Sequence, residues 1–257
     1  MRRSVLAAAL ATAIALVGQP SSGAITFGHR DGDRHPNVGA LVKLNGKGKK
    51  GWFCSGTLIA PTVVLTAGHC TDFLNPHKPL WVTFESAFDR DGTFYAGRAV
   101  TDPKYRPNTL DDDIGLVLLD EAPAGIQPAA LIGRGALDRM KRRGTLKRTE
   151  VTNVGYGGTV HFTHHPPEIR YDGIRRYSRS PIKGLKKNNL LLQENHSATG
   201  EGGTCFGDSG GPHFLGRSDV IASVTSWGDA VCRSLDQTQR IDIPGVRSFL
   251  RRYVELR

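Results

Sequence analysis

From Val38 onward, short apolar or β-branched runs recur along the chain: Val38–Leu44, Thr57–Ile59, Val63–Thr66, Leu80–Glu85, Ile114–Leu119, Val151–Tyr156, Leu190–Gln193 and Val220–Ser226. Turn residues separate nearly all of them, and no long 3.6-residue periodicity interrupts the series. This punctuation predicts an all-β chain, an antiparallel barrel or sandwich, and argues against strand–helix–strand units around a parallel sheet. The one good amphipathic helix is terminal. Val246, Phe249, Leu250, Tyr253 and Val254 fall at i, i+3, i+4, i+7 and i+8, with Pro244 near the start, so this stripe should dock on the body. Ala122–Ala130, rich in Pro, Ala and Gly, divides the chain near its middle and is the candidate connection between two halves.

Residues 1–24 follow another pattern. Arg2 and Arg3 precede the apolar run Val5–Val17, and Ser22-Gly23-Ala24 offers a small-residue cleavage site, which reads as a secretory signal. A bilayer span needs about 18 or more apolar residues, and this run is shorter, so no membrane span is expected once the signal is removed. The expected product is extracellular. Its 39% hydrophobic content supports a sizeable core and excludes a disordered or collagen-like chain. Four cysteines in an exported chain without Cys-x-x-Cys spacing favour two disulfides over a metal site.

The formal charge is +10, or +8 without Arg2 and Arg3. Basic stretches at Arg139–Arg148, Arg175–Arg179 and Lys183–Lys187 are read first as solvated loops and second as a surface for an anionic polymer. Aromatic residues are not interleaved there as a stacking platform requires, so specific nucleic-acid binding is not expected.

Acyl transfer by serine needs a hydroxyl on a tight turn, within reach of a base and beside backbone N–H groups that face the developing oxyanion. Gly207-Asp208-Ser209-Gly210-Gly211-Pro212 offers such a turn, although alone it could be an ordinary glycine-rich loop. It has company: Thr66-Ala67-Gly68-His69-Cys70 follows an apolar strand, and Asp113 opens the strand Ile114–Leu119 after an acidic loop that also holds Asp111 and Asp112.

These segments, with Cys54-Ser55-Gly56-Thr57-Leu58-Ile59, Gly155-Tyr156-Gly157 and Ser226-Trp227-Gly228, together resemble the chymotrypsin/trypsin family of serine proteases, from about Ile25 to the C-terminus. The resemblance implies two six-stranded antiparallel β-barrels, about 25–125 and 126–245, with a terminal helix at about 244–256. It also implies a secreted serine endopeptidase, acting as a monomer on protein or peptide substrates without a cofactor or metal. Carried onto matching residues, Ser209 is the nucleophile, His69 the base and Asp113 the carboxylate that orients it. The backbone N–H groups of Gly207 and Ser209 form the oxyanion hole. The same resemblance pairs Cys54 with Cys70 and Cys205 with Cys232. It reads Ile25-Thr26-Phe27-Gly28 as a variant mature N-terminus, whose α-amino group pairs with Asp208. Cleavage after Ala24 would itself expose Ile25, so secretion could be sufficient for activation.

For specificity, the resemblance places Gly203 at the floor of the primary pocket, where trypsin-like members carry Asp. Ser226-Trp227-Gly228 is similar to the segment that pairs with substrate backbone, Gly228 leaving the pocket entrance open. Asp236 has two readings: a second pocket-wall position that attracts basic side chains, or a solvated loop residue. Glu201 is also near in sequence. His161, His164 and His165 sit with Pro166 and Pro167 and read as an exposed loop. Asn195-His196-Ser197 fits a glycosylation acceptor and is given no function. Two other classes compete with the peptidase. A catalytically silent binding module would use the basic loops, whereas an esterase would combine a Gly-x-Ser-x-Gly elbow with an Asp-before-His order, and here the order is His69, Asp113, Ser209.

Overall fold

The computed structural model describes residues 25–75, 77–161 and 168–256, so the proposed signal 1–24, together with His164 and His165, lies outside the described residues. A two-residue strand β1 (His29–Arg30) comes first. Then β2 (Val38–Leu44), β3 (Lys50–Ala60), β4 (Val63–Thr66), β5 (Leu80–Thr83), β6 (Tyr95–Thr101) and β7 (Gly115–Leu119) form the first barrel, with the single-turn helix α1 (Gly68–Thr71) between β4 and β5. This barrel closes antiparallel in the order β2-β3-β4-β7-β6-β5.

After the crossing come β8 (Ala130–Leu131), α2 (Ala136–Arg142) and a 3-10 turn, Leu146–Arg148. Next are β9 (Glu150–Gly155), a hairpin of β10 (Thr159–His161) and β11 (Glu168–Arg170), β12 (Arg176–Leu185), β13 (Asn189–Gln193) and α3 (His196–Thr199). The chain ends with β14 (Pro212–Leu215), β15 (Val220–Gly228), β16 (Leu235–Arg240) and α4 (Pro244–Leu250). The second barrel runs β12-β13-β16-β15-β14-β9 and closes by pairing β9 with β12, while β1 adds to β12 and β8 runs parallel to β15. The all-β reading and the two six-stranded barrels therefore hold.

The strands that the apolar pattern marks out are those whose inward positions are aliphatic, such as Val38, Leu65, Leu116, Val151, Leu190 and Val224, all within one buried cluster that spans both barrels. Two of those it missed are lined differently. β12 alternates buried and half-buried along its length, but its buried positions include Arg176, Ser178 and Ser180, and β16 is buried with the sequence Leu-Asp-Gln-Thr-Gln-Arg. The polar residues there are satisfied inside the barrel: Asn153 Nδ2 donates to Ser178 Oγ at 3.0 Å and to Ser180 Oγ at 2.7 Å. Part of the basic stretch Arg175–Arg179 is likewise not solvated. Arg175 is 1% exposed, and its guanidinium donates to Asp31 Oδ2 (2.8 Å), to the carbonyls of Gly32 (2.6 Å), Val38 (2.9 Å) and Phe84 (2.8 Å), and to Tyr156 Oη (3.1 Å). It ties the amino-terminal segment and the first barrel to the second.

The terminal helix is shorter than its apolar stripe. Pro244 occupies its first turn as expected. Beyond Leu250, however, Arg252 N–H and Tyr253 N–H bond three residues back, tightening the chain into turns while Tyr253 and Val254 still pack partly buried on the core.

Candidate active site

His69 sits in α1, directly after the fully buried strand β4. Asp113 precedes β7, which pairs with β4 in the same barrel, so the two residues leave adjacent strands at the same end. Gly68 permits the approach: a Cβ there would lie 2.9 Å from Tyr105 and 3.1 Å from Asp113 Oδ1. Asp112 takes a left-handed φ of 52°, and the Ile114 N–H bonds to its carbonyl, turning Asp113 inward. Of the three consecutive aspartates, Asp113 is the one bonded to His69. Asp111 instead accepts from Asn188 Nδ2 at 2.7 Å.

The Asp113 carboxylate is completely buried. Oδ1 accepts the His69 backbone N–H at 2.8 Å, and Oδ2 contacts His69 Nδ1 at 2.8 Å and accepts the Ser226 hydroxyl at 2.5 Å. A carboxylate facing Nδ1 fixes the proton there and leaves Nε2 as the acceptor nitrogen. The His69 side chain remains 26% exposed, toward a cleft of about 570 Å³ that it lines with Ser209, Gly207, Cys54, Trp52, Phe53, Phe73, Tyr171 and Phe206.

Ser209 crosses from the second barrel into this cleft on a glycine-supported turn. Gly207 has φ of 97° and Gly210 of 77°, and a Cβ at Gly210 would overlap Thr66 Oγ1. The turn is locked by Asp208 N–H on the Cys205 carbonyl (3.0 Å), Gly211 N–H on the Asp208 carbonyl (2.8 Å) and Ser55 N–H on the Ser209 carbonyl (2.9 Å). The last bond is donated by the first barrel and ties the Ser209 turn to the barrel that carries His69. Both disulfides form as the resemblance implied, Cys54–Cys70 beside His69 and Cys205–Cys232 beside the turn, with Cα atoms 6.3 and 5.1 Å apart.

Ile25 is fully buried, and its backbone N–H bonds to the Asp208 carboxylate, which also accepts from Gly157 N–H (2.8 Å) and Cys205 N–H (2.9 Å). Burial pushes Asp208 up to about 7 against these hydrogen bonds. Thr26 forms a β-bridge with Gly203, whose N–H donates to the Thr26 carbonyl at 3.1 Å; a Cβ at Gly202 would overlap that same oxygen. The segment after residue 24 is thus seated against the Ser209 turn.

Of the residues expected to form the primary pocket, Trp227 is 46% exposed and Gly228 is exposed at the end of β15, whereas the Ser226 side chain turns inward to Asp113. Asp236 is not a solvated loop residue: it lies on β16, opposite Gly228, and is fully buried. Gly203 is buried without a side chain, and Glu201 is not part of this cluster of buried acids. What sequence reasoning missed is Glu194, just past β13. It is 2% exposed, accepts the Thr204 N–H at 2.6 Å and is raised well above the usual carboxyl range by burial and the neighbouring Asp236. Nothing in its local sequence separates it from an exposed loop acid.

Comparison with known proteins agrees with this geometry. The sequence model of the family described as Trypsin matches residues 28–244. A trypsin of Saccharopolyspora erythraea is 29% identical over 77% of this chain and 84% of its own. Human granzyme M is 26% identical over 71% of each. Among solved structures, HL collagenase superposes with a TM-score of 0.69 at 17% identity, over 89% of this chain and 99% of that one. Human heparin binding protein gives 0.65 at 17% identity, over 90% and 98%. The chain belongs to the trypsin family, and is a serine-type endopeptidase.

Proposed function

We propose that the protein is a secreted endopeptidase that cleaves peptide bonds through an acyl-enzyme on Ser209. The observation that carries this reading is the double hold of Asp113 on His69, at backbone N–H and Nδ1, in the cleft that Ser209 and Gly207 also line. His69 Nε2 takes the Ser209 proton as the hydroxyl attacks the scissile carbonyl, and returns it to the leaving amine; water then repeats the sequence on the ester. Asp113 orients the ring and stabilises its charged form. The backbone N–H groups of Gly207 and Ser209 meet the developing oxyanion, each such donor contributing about 10²–10³ in rate. Ile25, freed by removal of the leader, pairs its α-amino group with Asp208 and converts a buried carboxyl held by neutral donors into an ion pair.

The test is intact mass after exposure to a phosphonofluoridate, with Ser209→Ala alongside and a mixed peptide library as substrate. Stoichiometric labelling of a secreted chain starting at Ile25, absent in Ser209→Ala and matched by peptide cleavage, is the expected result. A folded, processed chain that takes no label overturns the reading.

A second role is favoured by one observation. The 3-10 turn packs against β12, and Lys141, Lys147 and Lys183 surround a hollow of about 420 Å³ with Leu146, Leu185 and Leu191. Two basic stretches far apart in sequence become one cationic face, suited to an anionic polymer.

A further inference from the structure

A hollow of about 710 Å³, larger than the catalytic cleft, lies on the first barrel. Its floor crosses three paired strands: Lys43 of β2 stands opposite Leu80 of β5, and Leu80 opposite Gly97 of β6. Its wall is the stretch 71–75, which follows His69 in the chain, and Phe73 is the one residue it shares with the cleft. Leu44 and Phe73, two large apolar side chains that the fold leaves exposed, stand at this hollow together with Leu74 and Ala99.

The polar groups left unused around it are mostly donors. Lys43 Nζ lies 4.1 Å from the centroid of the Phe73 ring and 4.7 Å from that of Phe53, and burial holds this ammonium below the usual lysine range. Ring faces attract a cation but offer no lone pair to its three N–H groups. Lys78 and Arg98 also line the hollow, and among the described residues none of the three cations is ion-paired or hydrogen-bonded through its side chain. Asn45 Oδ1 accepts the Lys47 and Lys49 N–H groups, and Asn75 Oδ1 accepts the His77 N–H, so each asparagine keeps its NH₂ for another partner. The acceptors are engaged: Thr71 Oγ1 and Thr101 Oγ1 lie 2.7 Å apart, and Thr71 donates to the Gly68 carbonyl at 3.0 Å. Asp72 is the single acid of the lining and is ion-paired to none of the three cations.

We propose that this hollow binds a small organic acid, a carboxylate carried on an aromatic or aliphatic body. The carboxylate accepts from Lys43 and Arg98 and supplies the oxygens that the ring faces lack, while the body covers Leu44 and Phe73. The volume is that of a small-molecule site. A peptide strand finds no edge to extend here, because β2, β5 and β6 are each paired on both sides within a closed barrel.

Titration calorimetry of the secreted protein with 4-phenylbutyrate, and with its neutral match 4-phenylbutanamide, tests the assignment. The acid is expected to saturate one site below about 10 mM and to bind at least about tenfold more tightly than the amide. Lys43→Met and Arg98→Gln, each melting as the wild type does, should weaken the acid and leave the amide unchanged. Treatment with the phosphonofluoridate, which blocks the cleft at Ser209, should leave acid binding as it was. No saturable binding, equal binding of acid and amide, an acid affinity unchanged in both variants, or loss of binding after phosphonylation each overturns the site. A chain that takes no label still reports binding, so this site and the protease reading fail separately.

Discussion

Three donors converge on the Asp113 carboxylate: the His69 backbone N–H, the His69 ring and the Ser226 hydroxyl. Asp113→Asn keeps the volume but places an amide where the ring's Nδ1–H needs an acceptor, favouring the wrong tautomer. In triads of this family the equivalent change costs about 10⁴ in kcat. The same fall is expected here with thermal stability nearly unchanged, and kcat alongside a melting curve checks it. Asp208 makes a second residue-scale prediction. With Ile25 still an amide, burial raises its carboxyl to about 7. A carboxyl raised above its unfolded value stabilises the fold at low pH and loses that contribution as pH rises through about 7. The unprocessed chain should therefore melt lower at mildly alkaline than at mildly acidic pH, and Asp208→Asn should flatten that dependence. Processing should flatten or reverse it too, since an ammonium at Ile25 favours the ionised form. Melting curves of processed and unprocessed chains across that range are the measurement, and an unprocessed chain with no such slope would count against the assignment.

At the scale of elements, the two barrels are joined by polar as well as apolar packing. Arg175 reaches out of the segment before β12 to carbonyls at the start of β2 and just beyond β5, and to Asp31. Truncation leaves Asp31 buried beside His35 alone and strips donors from three carbonyls. Arg175→Met should thus cost about 3–5 kcal/mol, the range for breaking a buried ion pair from one side. Urea unfolding, read as a shift in midpoint at constant slope, measures it. The α1 and β4 elements need less explanation: four consecutive buried residues, Val63–Thr66, deliver His69 to the cleft as a consequence of ordinary strand burial.

Across the whole molecule, a formal charge of +10 is distributed unevenly once the chain folds. Arg175, Arg176 and Arg240 are buried with acidic partners, whereas Lys141, Lys147 and Lys183 gather on one side of the second barrel. If that face holds an anionic polymer, the Ser209→Ala protein should be retained on immobilised heparin at low salt and released as salt rises, since the screening length falls from about 30 Å at 0.01 M to about 3 Å at 1 M. Lys147→Glu should elute earlier, and equal elution would remove this face from consideration.

The sequence by itself determined the strand-rich architecture and the three candidate catalytic side chains, because both are written locally. Aliphatic runs between turn residues mark strands such as β2 and β4, and the glycines around Ser209 and His69 announce backbone that must pass close to other backbone. It left β12 and β16 unmarked because their inward faces carry Arg, Ser, Asp, Thr and Gln, whose burial is tolerable only through partners on other strands. The same reason hid Glu194. Its chemistry depends on the missing side chain of Gly203, the hydroxyl of Thr204 and the neighbouring Asp236, which lie up to 42 residues from it in the chain. Only closure of the second barrel brings these groups together, because burial and the distances between groups, not residue identity alone, decide how a carboxyl behaves.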